Sequence, residues 1–269
     1  MDRSASLNLR NHFDSIADAY YRIVDRVWYD VGYYHQREGE FLRGRVCDPI
    51  GLAIDAGCGP GRHLLSLARR AHTLIAIDFS RQMLKEAKER IRQSGLGRVD
   101  FVQADVRRLP LRQGVADFVL NLEVLEHLPG GLADARTTIG EFGRVLRRHG
   151  ILLVEAPLRR HKGWKHFYSR DASYQELTRD ERSRYYERYP LLVDYLFGDK
   201  EVDRILTHVG FLSETKRFIG FFPAGLIERH PWLYKLNEVF ERVPILNRVC
   251  REALWYAKLD RASPEKTST

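Results

Sequence analysis

Between Leu52 and Leu67 the chain reads as a buried strand, a glycine turn and the start of a helix, and no other stretch limits the fold as much. Apolar Leu52 to Ala56 runs into Gly57-Cys58-Gly59-Pro60-Gly61, and Arg62 to Ala68 then takes up a helical pattern. Strand, turn and helix in that order open an α/β nucleotide-binding fold, with its ligand at the carboxyl end of the strand. Glycine suits such a turn because it tolerates positive φ and lets the backbone approach a ligand. Asp78 closes the next apolar run, Leu74 to Ile77, 21 residues after Gly57. An acid at about that distance is placed to bind a ribose diol. The dinucleotide fingerprint G-x-G-x-x-G is not met, since Arg62 stands where the third glycine belongs. A pyrophosphate ligand, and with it an oxidoreductase, is therefore the weaker reading.

Four stretches in order, AIDAGCGPG from Ala53, IAIDFS from Ile75, VQADVRRLPL from Val102 and ADFVLNLEVLEHL from Ala116, carry a resemblance. Together they resemble the motif set of the class I S-adenosylmethionine-dependent methyltransferases, and most of all the small-molecule branch with the ubiquinone- and menaquinone-biosynthesis enzymes. The resemblance implies a Rossmann-like, doubly wound and mostly parallel seven-stranded sheet, with an N-terminal helical lid and helical insertions. It also implies S-adenosylmethionine as cofactor, with Gly57, Cys58, Gly59 and Gly61 around its amino-acid and ribose side and Asp55 orienting the methionine end. Asp78 would take both ribose hydroxyls, since an ionised carboxylate offers an acceptor oxygen to each. Phe79 and Met83 would flank the adenine. Asp105 would accept from the adenine amino group, and the Val106 amide would meet a ring nitrogen. Asn121 and Leu122 would run beside the transferable methyl, and Tyr20, on the helix that folds over the cofactor in this branch, completes the set.

The rest of the chain fits that frame. Phe13, Ile16, Ala17, Tyr20, Ile23, Val24 and Val27 recur at helical spacing from Asn11 onward, and a second helix is expected over Tyr33 to Leu42. Residues 1–43 read as the lid and 44–158 as the cofactor-binding core. Within the core, strands are expected at 52–56, 73–77, 99–103, 116–120 and 151–155, with helices at 62–71, 80–94 and ending at 148. Ser80 is the expected N-cap of the 80–94 helix. Such alternation implies a parallel sheet covered on both faces. Residues 159–198, rich in arginine and tyrosine, read as an inserted substrate lid. Residues 199–261 complete the sheet through a helix ended by Gly210, a strand at 211–218, a helical excursion at 223–250 and a last strand near 253–259. Residues 262–269 read as a polar, disordered tail.

Asn121-Leu122-Glu123 stands where amine methyltransferases of nucleic acids carry Asn-Pro-Pro-Tyr, which argues against that class. A cysteine-nucleophile mechanism lacks a candidate: Cys58 is in the turn, and Cys47 and Cys250 belong to no motif. Glu123, Glu126 and His127 can share a face if their segment is helical. Three roles are open: a general base at His127, whose imidazole ordinarily titrates near neutrality; a cation site orienting a catechol-like acceptor; or packing against the cofactor. His127 and Glu123 are the catalytic candidates, no metal site is assigned, and Glu155, His161, His166 and Tyr168 are secondary. The expected reaction is methyl transfer to a small molecule, foremost O-methylation of a phenolic, quinone-precursor or natural-product hydroxyl. N- or C-methylation, an RNA methyltransferase and a non-catalytic cofactor-binding module are the alternatives.

Three scattered cysteines and a start without an apolar leader point to a cytoplasmic setting. The net charge of +8 reads first as a solvated basic surface. The aromatic residues of 159–189 and 223–250 suggest a largely apolar acceptor chamber. A peripheral membrane contact through Trp232 to Val249, with Lys235, Arg242 and Arg248 beside it, and a dimer contact are the alternatives. Oligomeric state is not legible.

Overall fold

In a computed structural model the described residues are 3–17, 29–46, 49–95, 99–159, 195–222, 230, 232–246, 250 and 252–260. Helices α1 (Arg3–Ile16) and α2 (Tyr29–Arg45) precede β1 (Ile50–Ala56), α3 (Leu64–Ala68), β2 (Ala71–Asp78), α4 (Arg81–Gln93), β3 (Val99–Gln103) and β4 (Ala116–Asn121). A 3₁₀ turn (Leu125–His127) then leads to α5 (Leu132–Val145), β5 (Leu146–Pro157), α6 (Asp199–Val209), β6 (Phe211–Ile219), α7 (Leu233–Arg242) and β7 (Glu252–Leu259). The seven strands lie in the order β3-β2-β1-β4-β5-β7-β6. β7 alone is antiparallel to its neighbours. This is the doubly wound, mostly parallel sheet that the motifs imply.

Alternate residues of the central strands feed two cores, one on each face. Ile54, Ile77, Val119, Leu152 and Trp255 pack with Ile139 and Phe142 of α5 and with Val202, Ile205 and Leu206 of α6. Ala53, Leu74, Ala76, Leu120 and Leu153 face the other way, onto Leu42 of α2, Leu64 and Leu67 of α3, and Leu84, Ala87 and Ile91 of α4. Burial on both faces explains why β1 reads as a continuous apolar run. α4 begins where expected, with Ser80 Oγ accepting from the Met83 amide at 3.1 Å. α6 stops at Gly210, whose φ of 101° is a left-handed cap.

Some boundaries differ. The helix expected to reach Arg148 stops at Val145, and β5 starts at Leu146. Cross-strand pairing decides this: the Gly114 and Val115 amides donate to the carbonyls of Arg144 and Val145, and Ala116 pairs with Leu146. The helix expected over 62–71 shrinks to Leu64–Ala68, because Ala71 pairs with Ile50 and already belongs to β2. α1 starts eight residues before Asn11, at Arg3. Tyr20 and the other apolar positions from 20 to 27 lie outside the described residues, as do 160–194 with His161, His166 and Tyr168, and 223–229. The side chains of Tyr33, Tyr34 and His35 are likewise outside.

Between β6 and β7, the described helix α7 is held by polar groups on its inner face. Asn237 Oδ1 accepts from the Phe222 amide and Glu241 Oε1 from the Gly220 amide, both at 2.9 Å. The buried guanidinium of Arg37, from α2, meets Glu40 at 2.6 Å, Glu241 at 2.8 Å, and Glu238. Ile219 pairs with Glu252, which pairs with Pro157 at the end of β5. α7 therefore follows β6 at the sheet's carboxyl end. No helix among the described residues is long and apolar enough to cross a membrane.

Candidate active site

The carboxyl ends of β1, β2 and β4 surround a cleft with about 1020 Å³ of free space including its open mouth. Its floor is the turn after β1. The Gly57 and Cys58 amides both donate to the Ile77 carbonyl, at 2.7 and 2.9 Å, which ties this turn to the end of β2. Gly57, Gly59 and Gly61 all have positive φ. Gly57 and Gly59 line the cleft, whereas Gly61 packs against the helices: a Cβ there would come within 2.9 Å of Leu64 Cδ1 and 3.2 Å of Ala87 Cβ.

Of the expected cofactor residues, Asp55, Gly57, Cys58, Gly59, Asp78, Phe79, Met83, Asp105, Val106 and Leu122 all line this one cleft. Asn121 is buried and turned away, its Nδ2 donating to the Ala56 carbonyl at 2.6 Å. Asp78 accepts from the Gly59 amide through Oδ2 and from the Ser80 amide through Oδ1, both at 2.8 Å. Burial still pushes its carboxyl up to about 6 against those amides. Asp55 is pushed up to about 7, first by burial, with Arg62 opposing and Asp78 adding. Burial, then Asp78 and Asp55, raise the Cys58 thiol well above its ordinary value, which opposes formation of the thiolate.

Two buried carboxyls raised this way hold protons in the folded chain that they would release when unfolded. With unfolded values near 4, the folded state binds more protons from about pH 4 to 7, so stability without ligand falls as pH rises through that window. Asp55→Asn removes one such titration. It should gain stability over the wild type by up to ~1.4 kcal/mol per pH unit across the window, as read from urea midpoints at stepped pH; parallel curves for the two proteins would refute this.

Several cleft residues were not legible as such. Arg107 grips Asp105 edge-on, Nε to Oδ1 at 2.9 Å and Nη2 to Oδ2 at 2.6 Å, and its other contacts are Asp134 at 2.6 Å and Ser6 Oγ at 2.9 Å. The only trace in sequence is an arginine two places after the acid. α1 is fixed across the cleft by that Ser6 contact and by Asp14, which accepts from Ser80 Oγ at 2.6 Å. Phe13 of α1 meets His127 edge-on, ring centroids 5.3 Å apart. Its neighbour His12 is buried, and burial and then His127 lower its imidazole to about 4.

Glu123, Glu126 and His127 do not share a helical face. Glu123 lies before the 3₁₀ turn with φ of 54°, and only Leu125–His127 are helical. A left-handed residue between strand and turn breaks the helical spacing. The Glu123 carboxylate meets Arg62 at 3.0 Å and its amide donates to Glu155 Oε2 at 2.8 Å. Arg62 continues to Glu38 at 2.9 Å. Glu155 is buried and raised well above the usual carboxyl range, first by burial and then by Glu126, Glu252, Glu38 and Glu123. No metal-binding group of three or more acids, histidines or cysteines occurs among the described residues. Glu123 and His127 both line the cleft.

Residues 54–154 match the family described as a methyltransferase domain. A probable S-adenosylmethionine-dependent methyltransferase of Mycobacterium tuberculosis is 32% identical over 131 residues, 46% of this chain and 44% of that protein. A ubiquinone biosynthesis O-methyltransferase of Bartonella bacilliformis is 26% identical over 136 residues, 46% of this chain and 53% of its own. The chain thus spans about half the length of these relatives. Among solved structures, magnesium protoporphyrin IX methyltransferase from Synechocystis with bound S-adenosylhomocysteine superposes with a TM-score of 0.63 at 17% identity, over 95% of this chain and 100% of that one. A [4+2]-cyclase superposes with a TM-score of 0.58 at 18% identity, over 84% and 81%. The two likenesses are of fold. The family match and the relatives support the resemblance read from the motifs, with S-adenosylmethionine as the cofactor that goes with it.

Proposed function

We propose that this chain, with its methyltransferase domain over residues 54–154, transfers a methyl group from S-adenosylmethionine to a small-molecule acceptor, foremost the hydroxyl of a phenolic or quinone-like compound. The observation that carries the reading is the convergence of Asp55, Asp78 and Asp105, from the ends of three parallel strands, on one glycine-floored cleft. The cleft suits that cofactor chemically. Asp55 and Asp78 are buried acids raised by desolvation, and an ammonium group and ribose hydroxyls would favour their ionised forms. Leu122, Val124, Leu128 and Phe13 provide apolar wall nearby.

When bound, S-adenosylmethionine supplies an electrophilic methyl carried on a sulfonium. The chain then has to hold an acceptor atom at near-attack distance, ~3–3.5 Å, and keep water out. α1, laid across the cleft, serves the second task. For the acceptor proton, His127 is the better of the two catalytic candidates. The Glu123 carboxylate is engaged by Arg62 and its backbone by Glu155, so Glu123 shapes the loop. The His127 imidazole lines the cleft with the Glu126 carboxylate 3.9 Å from its Nε2, an acid placed to steady the imidazolium as His127 receives the proton. A phenol needs only such a modest base, which favours O-methylation over methylation at carbon.

Methyl transfer from labelled cofactor, screened over phenols, quinone precursors, amines and tRNA, tests the reading. Label in a phenolic product is expected. His127→Gln should then lower kcat by about two orders of magnitude, the low end for a general base, with cofactor affinity kept. Label in tRNA or in amines alone would change the acceptor class. Label in no acceptor despite cofactor binding would favour a non-catalytic module or a chemistry like that named for the cyclase neighbour.

A further inference from the structure

α7 has an outer face that its inner contacts leave unexplained. Trp232, Val239 and Ile245 are exposed by 66%, 55% and 71%, and Lys235 and Arg242 are exposed between them. Spacings of three and four place 232, 235, 239 and 242 on one side of the helix, opposite buried Leu233, Asn237 and Glu241. The helix cannot roll to bury this side. Asn237 and Glu241 are bonded to the backbone of Phe222 and Gly220, and Glu241 and Glu238 to the Arg37 guanidinium.

We propose that this face of α7 docks on the surface of an anionic phospholipid bilayer. Charge selects that occupant. Lys235 and Arg242 are exposed on this face, while the acids of the same helix, Glu238 and Glu241, turn inward to Arg37. Among the described residues the outer face thus presents Trp232 and Val239 beside the exposed cations Lys235 and Arg242, the pattern of a helix lying in the headgroup layer. Tryptophan suits that depth, with an apolar ring and one polar N–H. A protein partner or a second copy would not by itself call for this charge, and a second copy would repel it.

Location adds a consequence. α7 follows β6 at the carboxyl end of the sheet, where the cleft opens. Docking there turns the cleft's end of the molecule toward the bilayer, so an apolar acceptor reaches it without crossing water. The docking stands apart from the reaction proposed above and is tested without any turnover.

The test is co-sedimentation of the full chain with vesicles of phosphatidylcholine alone and of equimolar phosphatidylcholine and phosphatidylglycerol. The protein should pellet with the second and stay in solution with the first, and added salt should release it. K235Q/R242Q should weaken vesicle binding by about thirtyfold, at ~1 kcal/mol for each basic residue lost. W232S/V239S should weaken it by at least about tenfold. Both pairs lie on an exposed face, and their urea midpoints should match the wild type. Equal binding to both vesicle types, or binding to neither, would overturn the proposal. A dimer in light scattering that W232S/V239S dissolves, with no vesicle binding, would assign the face to a second copy instead.

Discussion

Asp78→Ala should weaken S-adenosylmethionine binding by about two to four orders of magnitude, the largest loss expected from any single polar group in the cleft. On the proposal that Asp78 takes both ribose hydroxyls, two charge-assisted hydrogen bonds of ~1.5–3 kcal/mol each are removed together. A further effect comes from the protein itself. Asp78 anchors the Gly59 and Ser80 amides, so its loss loosens the glycine turn and the start of α4 at once. Asp78→Asn separates the contributions. The amide keeps one acceptor oxygen, so it can serve only one of the Gly59 and Ser80 amides and turns a donor toward the other, while the desolvation that raises the Asp78 carboxyl to about 6 is relieved. These effects on the folded chain oppose each other, and affinity should still fall by about tenfold or more. Titration calorimetry reads both variants. Wild-type affinity in Asp78→Ala would take the residue out of the site.

The same carboxylate shows what was legible beforehand. Asp78 could be found because strand ends are visible as apolar runs and its distance from Gly57 is fixed by one helix and one strand. Asp55 and Asp105 follow by the same logic, since each closes or flanks an apolar run. Ser80 and Gly210 were legible because a cap needs a particular residue type at a particular place. Arg107 was not, because its partners Asp134 and Ser6 lie far along the chain, and arginine two places from an aspartate is common. Glu155 was only a secondary candidate: a glutamate ending a strand gives no sign of bonding the amide of Glu123. The expectation that Glu123, Glu126 and His127 could share a helical face failed for a different reason. Glu-Val-Leu-Glu-His-Leu has helical spacing, but the backbone turns left-handed at its first residue, where no glycine or asparagine announces it.

That left-handed residue is coupled to the glycine turn, and Gly57→Ala is expected to expose the coupling. Gly57 has φ of 84°, which costs an alanine about 1 kcal/mol by conformation alone. Space is the larger obstacle: a Cβ would stand 2.3 Å from Val124 Cγ2 and 3.1 Å from Cγ1. Val124 follows Glu123 directly, and Glu123 is held by Arg62 on one side and Glu155 on the other. The loop cannot yield without disturbing those contacts, so overpacking and strain together should cost ~3–5 kcal/mol of stability. Turnover should fall by at least about two orders of magnitude, since displacing a positioning loop by ~1 Å is enough for that. Gly57→Ala/Val124→Ala decides whether the clash or the backbone is responsible. Val124→Ala removes both offending methyls, so the double variant should recover the clash share of stability and keep only the conformational deficit. Val124→Ala alone should be mildly destabilising, giving a coupling energy of ~1–3 kcal/mol of favourable sign. Additive effects in unfolding midpoints would mean that the glycine is required by its φ alone, and that the cofactor turn and the acceptor loop are independent. Non-additive recovery of both midpoint and turnover would make Gly57 the point where the cleft floor sets the position of the residues that meet the acceptor.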